Sequence, residues 1–375
     1  MSQVNFAENG SGVAGLTFVS LYSGCGGLDL GFARAGLQPV WANDIDAHAV
    51  ETYNKISKVE DPQWRAAAQL FEGHSALAGD VLTATRDLGP GLADVVIGGP
   101  PCQAFSVAGR MNPDDPRARH VFHFLGVVAR LRPRAFVMEN VAALARNQRW
   151  AGIIARLAEA AGEHYDTRLV VLNASHWGVP QARIRMFLVG LPKGGGEVTL
   201  PDGPTKDAPP SVGDVLRGLP PAGQPGNASV CTARITMAKT PVLRLSPFAG
   251  MLFNGQGRPI DVNRPAPTLP ATMGGNRTPI IDLDQLERDA TPWVVSYHRR
   301  LTAEREPPLA CLPAQARLRR LTVEEAAAIQ TFPAGMQWSG PQSARFRQIG
   351  NAVPPVLAWH VARAVRAALE GFSGG

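Results

Sequence analysis

From Leu16 to Leu191 short apolar runs alternate with helix-length amphipathic segments, and no other feature constrains the fold as tightly. The runs LTFVSLY, PVWAND, ADVVIG, RAFVMEN and IRMFLVGL read as strands. Between them LDLGFARAG (ended by Gly36), DAHAVETYNKI, RHVFHFLGVVARL and RWAGIIARLAEAAG read as helices. Strands separated by helix-length segments predict an α/β fold, a doubly wound and mainly parallel sheet. Ligands of such sheets gather beyond the carboxyl ends of the strands.

The texture changes after Leu191. Pro, Gly, Thr and Asn dominate to about Pro313, in turns such as NGQGRP, VNRPAP and MGGNRTP. The apolar residues Leu245, Phe248, Met251, Leu252, Phe253 and Ile260 predict a small core within this stretch. Helical text returns at TVEEAAAIQTF, and VPPVLAWHVARAVRAALEGF reads as an amphipathic helix with its apolar stripe toward the sheet. The expected organisation is a lead-in over 1–15, a first domain over 16–191, a smaller loop-rich domain over 192–333, and a segment 334–375 returning to the first.

A net charge of +6 favours an anionic partner, nucleic acid foremost. The four cysteines, Cys25, Cys102, Cys231 and Cys311, stand far apart with no C-x-x-C pair, so neither a zinc site nor a disulfide framework is expected. Widely spaced reduced thiols suit the cytoplasm. MSQVNFAENGSGVAG has no basic and apolar signal-peptide pattern, and no apolar run reaches the roughly 20 residues that span a bilayer. No membrane partner is expected.

Three strand ends carry chemistry. LYSGCGGLDLGF is a strand-to-helix turn whose glycines let a ligand approach the backbone, but its spacing is not the G-x-G-x-x-G of dinucleotide enzymes. Asp44 follows about twenty residues on, where a carboxylate reaches ribose hydroxyls, and Asp80 in GDV is placed for an adenine amino group. Either acid could instead cap a helix or a turn. At the next strand end GGPPCQAFSVAGR presents Cys102 on a loop stiffened by prolines, and Glu139 ends RAFVMEN. Arg183 and Arg185 alternate in QARIRMF and fall on one face of a strand.

GGPPCQAFSVAGR resembles the catalytic loop of the DNA (cytosine-5)-methyltransferases, and LYSGCGGLDLGF, MENV, QARIRMFLVG and IGNAVPP resemble the other family blocks, in order from about Thr17 to Ala368. The resemblance implies methyl transfer from S-adenosylmethionine to cytosine C5 in double-stranded DNA by a S-adenosylmethionine-dependent methyltransferase sheet with a target-recognition domain. It implies a monomer without metal, with any cognate restriction endonuclease acting separately. It casts Cys102 as the nucleophile at C6 and Glu139 as a proton-holding carboxyl at N3, with Arg185 on cytosine O2 and Arg183 supporting Glu139. Such attack requires the cytosine to be flipped from the stack. Tyr22 and Ile45 would sandwich the adenine, with Ser23, Gly24, Cys25, Gly26, Gly27, Val81, Gly99, Asn351 and Val353 completing the cofactor pocket; Cys25 carries no chemistry of its own. Gln103 and Ser106 would meet the DNA strand.

Asn254, Gln256, Arg258, Asn276 and Arg277 are side chains of the kind that read major-groove edges, though such residues also build ordinary turns. Family members often carry Arg where this chain has Glu324 and Ala328. Two other readings share the fold: a tRNA cytosine-C5 methyltransferase, and a catalytically inactive DNA-binding scaffold. The CTA at 231 does not match the Cys-Phe-Thr of the first, and intact Cys102, Glu139, Arg183 and Arg185 argue against the second.

Overall fold

A computed structural model describes residues 15–101, 119–200 and 202–372. The predicted alternation folds as β1 (Thr17–Leu21), α1 (Gly27–Arg34), β2 (Gln38–Asp44), α2 (Ala47–Tyr53), α3 (Arg65–Gln69), β3 (Leu77–Ala78), α4 (Val81–Ala84) and β4 (Val95–Gly98). It continues through α5 (His120–Leu131), β5 (Ala135–Val141), α6 (Ala142–Arg146), α7 (Ala151–Ala161), β6 (Tyr165–Asn173), β7 (Gln181–Ala182) and β8 (Ile184–Pro192). Seven of these strands make one sheet, in the order β3-β2-β1-β4-β5-β8-β6. The first five pair in parallel, whereas β8 runs antiparallel to both β5 and β6. Sequence reading did not anticipate β6, whose YDTRLVVLN is half-buried and carries charge at Asp166 and Arg168.

Period-two burial explains why helices cover both faces. Phe18, Val95, Ile97, Val137, Phe187 and Val189 point to the α1 side, where they meet Leu28 and Phe32. Val19, Leu21, Val96, Phe136, Met138 and Met186 point to the other side, onto α5 and α7. Each such side chain contributes about 1.5–3 kcal/mol on burial. Gly190 on β8 lies opposite Phe136, whose ring fills the space a Cβ would take, 2.0 Å from it.

Beyond β8 come α8 (Val212–Leu216), β9 (Met237–Val242), β10 (Met251–Phe253), β11 (Ala266–Pro267), β12 (Ile280–Asp282), α9 (Leu283–Arg288), α10 (Trp293–Thr302) and β13 (Leu318–Arg320). The chain then forms α11 (Val323–Ile329), α12 (Gln342–Asn351) and α13 (Pro355–Phe372). A small core joins Met237, Leu252, Phe253, Ile280, Val294 and Tyr297, with Phe248 packed against it. Three expected members lie elsewhere. Leu245 stands fully exposed in the turn between β9 and β10, and Met251 points outward where the hairpin has no covering layer. Ile260 belongs instead to a larger cluster that joins Val50 and Tyr53 of α2 to Val212, Leu269, Val323 and Ile349.

The closing helix α13 lies where its apolar stripe predicts. Leu357, Ala358, Val361 and Val365 pack on the α1 face of the sheet. Contact is close because Gly31 has no side chain: a Cβ there would sit 2.3 Å from Ala358 Cβ and 2.5 Å from the Trp359 backbone nitrogen. Among the described residues no helix is long and apolar enough to cross a membrane.

Candidate active site at the strand ends

The glycine loop is held by its neighbours' backbone. After β1 the chain turns through Tyr22 at φ 56, Gly24 at φ 55 and Gly26 at φ 86, all left-handed, and α1 begins. Gly24 N–H donates to Asp44 Oδ2 (2.8 Å), and Asp46 N–H donates to Asp44 Oδ1 (2.8 Å). Asp44 therefore fastens the loop to the end of β2, and each of its oxygens retains a second acceptor site. Burial pushes its carboxyl above the usual range against these bonds. The alternative role left open for it in the sequence, a turn cap, is present in the structure and leaves room for a hydroxyl donor.

Around the loop the other expected residues gather. Ile45 leaves an apolar side chain 77% exposed beside Asp44. Gly79 N–H donates to the Asp44 carbonyl, which brings Asp80 alongside; Asp80 is exposed and caps α4 through Leu82 N–H (3.0 Å). Val81 is buried behind it. Tyr22 shares a hydrogen bond with His120 Nδ1 (3.0 Å), and burial, with the charge of Asp80, pushes its phenol up. Across the loop, a Cβ on Gly27 would meet the Val353 carbonyl at 2.4 Å, so the segment after α12 lies directly on the start of α1. Asn351 ends α12 exposed, and Val353 is buried.

These features suit a nucleoside with a polar tail. A Cβ on Gly24 would meet nothing within 4 Å, so the loop has open space over it. Ser23 Oγ is buried without a hydrogen-bond partner among the described residues. Cys25 departs from its expected place in the pocket: its thiol turns into the core, 3.6 Å from the Gln348 carbonyl, and burial pushes it well above a normal thiol. Only its backbone belongs to the loop.

The second cluster lies at the ends of β4 and β5. Glu139 is 8% exposed, and its Oε1 lies 2.9 Å from Arg185 Nε. A Cβ on Gly99 would stand 3.1 Å from Glu139 Oε2, so only glycine leaves that carboxylate undisturbed. Burial raises the Glu139 carboxyl despite the opposing charges of Arg185 and Arg183. Asn140 Nδ2 donates to the Pro100 carbonyl (3.1 Å), tying the two strand ends together. Arg185 spends Nη1 on the Ile184 carbonyl (2.8 Å).

Arg183 sits in the break between β7 and β8, fully buried. Its guanidinium donates to the carbonyls of Leu269 (3.3 Å) and Gly350 (2.9 Å), so it joins the Glu139 cluster to both later segments. Gln181 and Gln330 reinforce the joint: Leu269 N–H donates to Gln181 Oε1, and Gln330 Nε2 donates to the Ile349 and Ala352 carbonyls. Sequence reading passed over both glutamines and Asn140. Gln181 and Asn140 lie inside the QARIRMF and MENV blocks, the one signal that pointed to them, whereas Gln330 lies in TVEEAAAIQTF. Cys102, Gln103 and Ser106 lie outside the described residues.

From Leu269 the chain runs to Asn276 and Arg277, both exposed. Gly257 N–H donates to the Asn276 carbonyl (3.0 Å) and Ile280 N–H to that of Arg258 (2.9 Å), so Arg258 is brought beside them. Glu324 accepts from Ser229 Oγ (2.9 Å) and anchors a neighbouring loop.

Comparison with known proteins bears on the whole of this arrangement. Residues 16–367 match the family model of C-5 cytosine-specific DNA methylases. Type II methyltransferase M1.HphI of Haemophilus parahaemolyticus is 33% identical, over 93% of this chain and 86% of that protein. Type II methyltransferase M.XorII of Xanthomonas oryzae is 30% identical, over 94% and 85%. The S. pombe Dnmt2 methyltransferase has the same fold, with a TM-score of 0.61 at 17% identity, over 95% of this chain and 99% of that one.

Proposed function

This chain belongs to the C-5 cytosine-specific DNA methylases and is a DNA cytosine-5 methyltransferase, and from that premise we propose the chemistry its residues perform. The observation that carries the proposal is Glu139, a buried carboxyl with a raised pKa at a strand end, paired with Arg185. Burial, which favours the protonated form of this carboxyl, suits it to share a proton with cytosine N3 as charge builds on the ring. Arg185 orients Glu139 through Nε and holds Nη2 uncommitted, among the described residues, for the cytosine O2.

Cys102 is the nucleophile in this scheme. Its thiolate bonds to C6 of a cytosine rotated out of the duplex, which makes C5 electron-rich. S-adenosylmethionine, held by Tyr22, Asp44, Ile45 and Asp80 around the open space at Gly24, supplies an electrophilic methyl group when bound. Loss of the C5 proton and breakage of the Cys102–C6 bond restore the aromatic ring and return the thiolate. Recognition of one sequence through Arg258, Asn276 and Arg277, with the product serving restriction–modification or a solitary mark, completes the reading.

Expression in a host lacking its own cytosine methylation, followed by sequencing of 5-methylcytosine, tests it. One fixed sequence context, methylated with the wild type and unmethylated with Cys102→Ser that still binds S-adenosylmethionine, is expected. Methylation of tRNA in place of duplex DNA, or turnover by Cys102→Ser, would overturn the substrate and the nucleophile respectively.

A further inference from the structure

Where the end of α1, the start of α3, α8 and α11 meet, the described residues enclose a cavity of about 430 Å³. Its walls are largely apolar, with Trp64, Leu219, Phe332, Met336, Trp338 and Val356 among them. The volume is that of a small-ligand site. No residue of the proposed cofactor seat or of the Glu139 cluster lines it. Phe332 borders both regions, since a Cβ on Gly27 would stand 3.2 Å from its Cζ. Leu219, Trp338 and Val356 are only partly buried there, so the core is left open on this side.

Arg34, in the last turn of α1, is the only cation among the described residues of the lining. Its guanidinium carbon lies 4.5 Å from the Trp64 ring centroid and 4.8 Å from that of Trp359, so two indoles flank it. The edge of the plane keeps its N–H donors, and no described residue accepts from them. Arg320, the last residue of β13, shows the ordinary fate of a buried guanidinium. At 3% exposed it donates to the carbonyls of Ala233, Thr278, Asn276 and Arg234.

The two carboxylates of the lining are already engaged. Asp61 accepts from Gln63 N–H (3.0 Å) and Ala334 N–H (2.9 Å). Glu324 accepts from Ser229 Oγ (2.9 Å) and Ser229 N–H (3.3 Å). Burial lowers the Arg34 pKa and the charge of Asp61 opposes this, while a guanidinium keeps its proton in either case. The cavity thus offers apolar walls and one charge whose hydrogen bonds are unspent.

We propose that this cavity is a binding site for a small apolar monocarboxylate, whose hydrocarbon part lies among Trp64, Phe332 and Trp338 and whose carboxylate takes the edge donors of Arg34. A forked pair of charge-assisted hydrogen bonds is the strongest use of those donors. A dianion such as a phosphate ester suits the site less, because Asp61 and Glu324 bring negative charge to the same walls. The proposal stands on this cavity alone and does not rest on the chemistry proposed above.

The test titrates the full chain with phenylacetate and octanoate, and with phenylethanol and octanol as neutral counterparts. Calorimetry is run with saturating S-adenosylhomocysteine present, and ligand-observed NMR follows the weaker binders. Two variants are compared with wild type: Arg34→Gln, which removes the charge, and Ala328→Leu, which narrows the cavity and leaves Arg34 intact. The acids should bind wild type in one saturable step, about ten- to a hundredfold more tightly than the alcohols, the worth of charged hydrogen bonds. Arg34→Gln should abolish that preference and leave alcohol affinity within about twofold, since it touches only the charged contact. Ala328→Leu should weaken acids and alcohols alike by about tenfold, and carries the test if Arg34→Gln does not fold. Equal affinity for acid and alcohol, or an acid preference that survives Arg34→Gln, would overturn the proposal. So would acids that fail to bind at millimolar concentration or bind only without S-adenosylhomocysteine. Binding seen only after removal of residues 2–14 would give the cavity to the chain's own lead-in, and acids excluded by dimer formation would give it to a second copy; either overturns the proposal.

Discussion

Glu139 and Arg320 are both charged and both buried, yet the two regions that hold them use burial for opposite ends. Glu139 faces Arg185 at 2.9 Å, and desolvation still outweighs that pairing and raises its pKa. Burial thus favours the protonated form of Glu139, the form the proposed chemistry uses. Among the described residues Arg320 donates to carbonyls, and a guanidinium does not give up its proton in the working range. Its environment fixes shape and leaves protonation alone. The proposed chemistry calls for a group at the strand ends that can change state.

The sharpest way to break this contrast is to remove the proton without removing the shape. Glu139→Gln should lower kcat by about 10²–10⁴ while DNA and cofactor affinity persist. In the wild type, the raised pKa means the protonated carboxyl survives to a higher pH than in a free glutamate, so kcat should fall as pH rises through it. The Gln variant should lack that limb of the profile. A kcat for Glu139→Gln within threefold of wild type would remove Glu139 from the chemistry.

A change that touches shape alone should do the reverse. Gly31→Ala drives a methyl group into Ala358 and the Trp359 backbone, and should cost about 1–3 kcal/mol in urea unfolding with kcat unchanged in the protein that remains folded. Equal stability would mean that α1 and α13 can part without penalty.

Asp29 sharpens the comparison because it is a buried titrating group with no part in the proposed chemistry. It accepts from Tyr53 OH (3.0 Å), and burial raises its pKa from 3.8 to about 7. The folded state thus binds the proton more tightly than the unfolded state. That contribution is whole below the unfolded value and is lost as pH rises through about 7. Relative to Asp29→Asn, the wild type should lose stability between pH 5 and pH 8, read from urea midpoints. A difference that stays constant with pH would show that Asp29 does not titrate there. The smallest effect is expected at Leu245, fully exposed, where Leu245→Ser should shift stability by no more than about 0.5 kcal/mol in thermal melts.

What the residues revealed in advance follows from what each element needs. Strands buried on both faces must be apolar, so β1, β4, β5 and β8 announced themselves, as did α13 by its stripe. Half-buried β6 mixes charge into its pattern and was missed. The strand-end positions of Glu139, Asp44 and the glycine loop were legible because each directly follows or ends an apolar run that reads as a strand. The work of Asp44 in fastening Gly24 was not, since a carboxylate looks the same whether it binds ribose or backbone. Arg320 could not be found at all from the text. Its partners are carbonyls, which every residue has, and only folding chooses among them.

The floor of the glycine loop comes from the far end of the chain. Val353 presses on Gly27, and Cys25 meets the Gln348 carbonyl 323 positions later. A ribosome releases the loop long before it releases that floor, and a closure of such span is slow to form. A chain cut short before α12 would therefore carry the glycine loop without the segment that packs against it.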